Sequence, residues 1–405
     1  MTSFPQRVPL RLATAVLLQL FSVAGASFAQ EAGSHEKEQT AKQEEKDDSF
    51  LTFLPERIRR RVERIKQDST GAGSPHGFAP TFGDIKRGSG VAPGVAYGQS
   101  LPGGGVVILK GVYSINNYKL VQMAAQSPPI AGRRVIVRAR ARWQDAPSVR
   151  LYGLGSDSPN IRTGYAETRT EVSGETAWTP VRVVRFLAGV GLEQFETGLA
   201  HKAGDAGSML FATMPGAGAD PRYVHGQASA AIDLRDSPGY TRRGSLLSAT
   251  FHEYHQTSDG PFSFQRVDAV AEQYIPVLKD KWVLFVNLHA ATTTASSTHD
   301  VPFFLLPDLG GHDLRGFSDY RFRDRHSINW SAESRWFVRG YLDAAIFYDA
   351  GKVAPTTGSL DFQGLQSSVG AGVRLHTRQS TLVRLDVAHS REGMRLVIAF
   401  SPVGQ

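Results

Sequence analysis

From about residue 77 onward, apolar and polar positions alternate with a period of two through run after run of the chain. In residues 134–143, Val135, Val137, Ala139, Ala141 and Trp143 share one face, and Ile136, Arg138, Arg140 and Arg142 share the other. Residues 282–290 set Trp282, Leu284, Val286 and Leu288 against Val283, Phe285, Asn287 and His289. Residues 383–389 set Arg384 and Asp386 against Val383, Leu385 and Val387, and Met394, Leu396, Ile398 and Phe400 line one face of the last run. Period two belongs to strands with one apolar and one wet surface. Turn signals between the runs predict one continuous antiparallel sheet of about sixteen strands. Residues 180–187 are less regular, because Arg182 and Arg185 fall on opposite faces, which suggests a bulge. Residues 197–220 and 292–311 carry little order and read as long loops on the outside of the membrane.

The arginines decide which solvent each face meets. An arginine facing lipid at mid-membrane costs about 2–4 kcal/mol, so Arg138, Arg140 and Arg142 must form a basic ladder toward a wet interior. Residues 1–29 have the form of a secretory signal: Arg7 and Arg11, an apolar run over 12–23, and a small-x-small site at Ser27-Phe28-Ala29, with Ala24-Gly25-Ala26 as a second site. No later run reaches the ~20 apolar residues of a membrane helix, whereas a barrel strand needs only about 9–11. Export and alternation together predict an all-β fold, an antiparallel transmembrane β-barrel of the bacterial outer membrane spanning residues 77–405.

Residues 30–49 are polar and mostly acidic and read as a disordered linker. Within 50–76, Leu51, Leu54, Ile58, Val62 and Ile65 mark one stripe of a short helix, opposite Arg57, Arg60, Arg61 and Arg64. The expected role is a packing helix at the barrel mouth, the alternative a helix lying on a membrane surface or on a partner. The net charge of +7 falls to +5 without Arg7 and Arg11, too mild to argue for nucleic acid. The absence of cysteine excludes a disulfide framework.

Chemistry concentrates in residues 309–351. Leu314-Arg315-Gly316-Phe317 sits in a glycine-rich loop. Two alternating runs follow, one placing Asn329, Ser331, Glu333 and Arg335 on a face, the other Asp343, Ala345, Phe347 and Asp349. Arg315 is expected to fold back onto Glu333 and Asp349. These three segments, the last being Phe347-Tyr348-Asp349-Ala350-Gly351, resemble the BamA/TamA superfamily of outer-membrane assembly barrels, also called bacterial surface antigens. The resemblance implies sixteen strands and a loop tucked into the lumen, with Arg315, Gly316 and Phe317 forming a latch on Glu333 and Asp349. It also implies that Phe400 resembles the terminal aromatic by which such barrels are recruited for assembly, although residues 401–405 extend past it. Residues 30–76 are too short a segment for a POTRA module, so a POTRA-less member is expected. Residues 152–158 resemble a strand-loop segment of such relatives.

The implied function is insertion or translocation of proteins or lipids at the outer membrane. Its implied partners are outer-membrane lipid, an unfolded outer-membrane client and a periplasmic recruiting protein. The alternative is a passive plugged pore or structural protein. Enzyme signatures are missing: there is no G-x-S-x-G elbow, no Walker loop and no H-E-x-x-H. His252-Glu253-Tyr254-His255 comes nearest, but strand residues three apart point to opposite faces and cannot share a metal. A non-enzymatic protein without metal or cofactor is expected.

Overall fold

A computed structural model describes residues 77–400, apart from 84, 162, 202, 279–280, 362 and 378–379. The expected signal, acidic linker and basic helix lie outside the described residues, as do residues 401–405.

Sixteen strands form one sheet in which each pairs antiparallel with its neighbours in chain order. They are β1 (Gly77–Gly83), β2 (Ala92–Leu101), β3 (Gly105–Tyr113), β4 (Lys119–Gln126), β5 (Val135–Leu151), β6 (Thr163–Val181), β7 (Val184–Leu199) and β8 (Arg222–Asp233). The second half comprises β9 (Gly244–Gln256), β10 (Phe264–Pro276), β11 (Trp282–Thr294), β14 (His326–Arg339), β15 (Leu342–Ala354), β16 (Gln366–His376), β17 (Thr381–Ser390) and β18 (Gly393–Phe400). Between β11 and β14, β12 (Asp308–Leu309) and β13 (Phe322–Arg323) pair as a small separate ribbon. Among the described residues one α-helix, α1 (Gly204–Ala212), follows β7.

The connections alternate between short turns at one end of the sheet and mostly longer loops at the other, as in outer-membrane barrels. The sheet is strongly curled, because the β5–β6 loop reaches β15: Ser156 Oγ donates to the Val353 carbonyl at 2.9 Å and accepts from its N–H at 3.0 Å. Burial shows which face is inside. Glu167, Glu171, Glu193, Glu333, Asp349 and Asp386 are buried on the inward face, while outward-facing Val190 and Leu192 are 60% and 62% exposed. A water-soluble fold would not leave its aliphatic side chains outside and its carboxylates within, whereas a sheet in lipid must. The apolar core lies inside, at the loop end, where Tyr165, Phe195, Tyr223 and Phe303 pack together. Among the described residues no hydrogen-bonded register joins β1 to β18, so the first and last strands are the edges of the sheet.

One loop reading and one strand reading need correction. Residues 197–220 are not low-order throughout: β7 continues to Leu199, and α1 packs Leu210 and Phe211 onto the aromatic core. Gly204 and Gly207 lower helix propensity and hide the helix. Gly207 is nonetheless required, since a Cβ there would lie 2.0 Å from Thr163 Oγ1. Arg182 is not a strand residue but part of the tight turn between β6 and β7, with the register shift falling between Trp178 and Val181.

Candidate functional site

The loop between β11 and β14 folds over the inward face of β14–β17. Gly310, with φ of 126°, turns the chain where a side chain would strike the Ser318 carbonyl. Leu309, Leu314, Phe317, Phe322 and Val353 form a small apolar cluster beneath it, with Phe317 and Phe322 edge to face at 5.1 Å. That cluster sets the height at which Arg315 leaves the loop.

Arg315 is 3% exposed. Its Nε and Nη2 donate to Asp349 Oδ2 and Oδ1 at 2.8 and 2.6 Å, a bidentate fork, and its backbone N–H donates to Oδ2 at 3.2 Å. Nη1 donates to Glu333 Oε2 at 2.7 Å and to Asp386 Oδ2 at 3.2 Å, and Nη2 donates to Ser331 Oγ at 3.0 Å. The guanidinium lies 3.3 Å from the centre of the Phe347 ring, which excludes water on that side. Gly316 is held from both flanks: its N–H donates to Ser368 Oγ at 3.1 Å, and Ser390 Oγ donates to its carbonyl at 2.8 Å.

Asp386 and Arg374 escaped the sequence reading of this site. Arg374 Nη2 donates to Glu333 Oε2 at 2.9 Å and its Nη1 donates to Asp386. Arg335 donates to Glu333 at 2.6 Å, and Arg384 lies 3.2 Å from Asp386. Four arginines thus interleave with three carboxylates across four strands. The alternation of Arg384 with Asp386 was visible in sequence, but only the strand register sets Asp386 beside Gly372 and Asp343 beside Arg374.

The rest of the loop is moored to distant parts of the chain. Arg87 pairs with Asp308, and with Asp313 at 3.1 Å. Arg321 donates to Glu392 at 2.6 Å and to Ser158 Oγ at 2.9 Å, while Gly155 N–H donates to the Arg323 carbonyl at 2.8 Å. Residues 152–158 are therefore part of the loop's seat.

Arg138, Arg140 and Arg142 do project from the inward face of β5, but they do not form an unpaired basic stripe. Arg138 donates to Glu175, directly opposite it on β6, at 3.1 Å, and Arg140 donates diagonally to Glu171 at 2.6 Å. Arg142 donates to Gln144 and, at 3.2 Å, to the Ile85 carbonyl. A charge read along one strand says nothing of the strand beside it. His252 lies on the inward face, 3.0 Å from His225, and His255 is exposed on the other. Phe400 pairs its backbone with Val383 at the end of β18; its side chain lies outside what is described.

The structure adds a second tie at the turn end. The β8–β9 connection crosses to β15 and β16, where Tyr240 Oη donates to Asp343 Oδ2 at 2.8 Å and stacks on His376 at 3.9 Å between ring centres. Arg242 Nη1 donates to the same Asp343 oxygen at 3.1 Å, and Thr381 N–H donates to the Gly239 carbonyl at 2.9 Å. Tyr240→Phe is expected to weaken this strap by about 1.5–3 kcal/mol, the value of a hydrogen bond to a charged group. Limited proteolysis within residues 234–243 should accelerate, and unchanged cutting would count against the strap.

A family model for the Omp85 superfamily domain matches residues 150–392, more than half of the sequence and all of the Arg315 site. The chain belongs to the Omp85 superfamily. The solved structure of BamA from Haemophilus ducreyi lacking POTRA domains 1-3 is similar to this Omp85 chain, with a TM-score of 0.61 at 15% identity over 84% of this chain and 77% of that one. CdiB from Escherichia coli aligns with a TM-score of 0.52 at 12% identity, over 80% of this chain and 59% of its own length. At such identities the likeness is one of fold. Comparison with curated proteins finds no match. The resemblance to outer-membrane assembly barrels that residues 314–317, 333 and 347–351 carry agrees with this family.

Proposed function

We propose that this Omp85 barrel promotes insertion or translocation of proteins or lipids at the outer membrane, with the Arg315 loop latched inside the lumen. The observation that carries the reading is a rigid wall joined to free edges. Four adjacent strands, β14–β17, are cross-braced through Arg315, Glu333, Asp349, Arg374 and Asp386, while β1 and β18 stand, among the described residues, at the two ends of the sheet. Unpaired strand edges template new strands, and a braced wall lets the seam work without collapse of the barrel. An unfolded client, and a periplasmic protein that delivers it, are the partners this reading requires.

One observation favours a second reading, a plugged pore: the inward face is strapped at both ends, by the Arg315 loop and by residues 234–243. Reconstitution separates the two. Liposomes carrying the protein should accelerate folding of a small unfolded barrel, and folded, inserted Arg315→Ala should lose that acceleration. If neither protein accelerates folding while both conduct ions, the plugged pore stands and the insertase reading falls.

A further inference from the structure

We infer that the turn end of the barrel carries a rim of cations that binds anionic phospholipid headgroups in the leaflet it faces. Arg133 and Arg134 lie between β4 and β5, Arg182 between β6 and β7, Arg243 between β8 and β9, Lys281 between β10 and β11, and Arg339 at the end of β14. All six are exposed, and among the described residues none of them pairs with a carboxylate.

The opposite end behaves differently. There Lys86 pairs with Glu167, Arg87 with Asp308, Arg150 with Asp319, Arg325 with Asp300 and Lys352 with Asp361. Cations at the loop end are mostly spent inside the molecule, whereas at the turn end, among the described residues, only Arg235 and Arg242 of the β8–β9 connection are paired in this way and these six are left for something outside it.

The distribution selects the partner. A protein docks on one patch, but these cations sit on five successive turns along the curled sheet. Beside them on the outward face are stacked aromatics, Trp178 on Phe186 at 5.4 Å and Trp282 on Trp336 at 6.3 Å between ring centres. Exposed Val181, Leu278 and Val338 adjoin them. Outward aromatics mark the level of the membrane interface, so the cations flank the plane in which phosphates lie. Short turns face the periplasm in such barrels, which makes the partner leaflet the inner one. Basic side chains at this level draw anionic lipid to a membrane protein. The inference needs the chain to span the membrane and is independent of any insertion activity.

The test uses the full chain in phosphatidylcholine vesicles containing a minority of phosphatidylglycerol. Electron spin resonance of spin-labelled lipids reports the association of each with the protein surface. Wild type should prefer phosphatidylglycerol several-fold, and the preference should fade with added salt as the Debye length contracts. The R133Q/R134Q/R182Q/R243Q/K281Q/R339Q variant should associate with both lipids equally. If it fails to fold, R133Q/R134Q/R182Q and R243Q/K281Q/R339Q should each show a partial loss. R222Q/R325Q/K352Q, at the loop end, should keep the full preference. Equal association of both lipids with wild type overturns the inference, and so does an unchanged preference in the folded turn-end variants. A preference lost instead in the loop-end variant places the lipid contact elsewhere and overturns it too.

Discussion

Arg315→Ala is expected to destabilise the protein by about 3–5 kcal/mol, the cost of leaving a buried carboxylate without its cation. The three acids do not share that cost equally. Glu333 keeps Arg335 and Arg374, and Asp386 keeps Arg374 and Arg384. Asp349 keeps no cation, only the residue-315 backbone N–H at 3.2 Å and two hydroxyls, Ser331 Oγ at 2.7 Å and Ser368 Oγ at 3.5 Å. The penalty therefore resides on Asp349, and adding Asp349→Asn to Arg315→Ala should recover part of it. Arg315→Lys should fall between, because an ammonium restores the charge but not the fork to Asp349. Urea unfolding in vesicles, with the protease sensitivity of residues 295–325, reads all four proteins. An unchanged midpoint and a protected loop in Arg315→Ala would sink the latch; a double variant no better than the single would move the penalty off Asp349.

Gly316→Ala is expected to unseat the same loop without removing a charge. A Cβ at this position would lie 2.5 Å from Ser368 Cβ and 2.7 Å from Ser390 Cβ, both on strands and unable to withdraw. Overpacking of this order costs about 1–3 kcal/mol. The backbone of Gly316 is not in the left-handed region, so the cost is steric. Protease cutting of residues 295–325 should rise sharply while the barrel's unfolding midpoint moves less than in Arg315→Ala. A loop that stays protected in Gly316→Ala would show that the strands yield.

The pairing of these two variants tests what the latch does. If Gly316→Ala and Arg315→Ala lose client-folding acceleration together, loop seating is the common cause. If Gly316→Ala retains it with the loop released, the activity needs the braced wall and not the seated loop.

Period-two alternation is a local property, and it determined most of what is wet and what is apolar. It placed Glu333 on the inward face of β14, Asp349 on that of β15, and Arg138, Arg140 and Arg142 on that of β5. The arginine, the two acids and their order along the chain were enough to suggest the family. Which charges meet was decided by register, which couples residues far apart in sequence and leaves no local trace. Register set Glu171 and Glu175 against the β5 arginines and carried Asp386 to within 3.2 Å of Arg315. The same holds for Tyr240 and Asp343, more than a hundred residues apart, which meet because the sheet curls. Curling also decided which edges are left: the sequence by itself specified alternating strands, and only the tertiary structure set β1 and β18 at the ends of one sheet, because backbone pairing between strands depends on where the whole wall closes and not on any strand's own side chains.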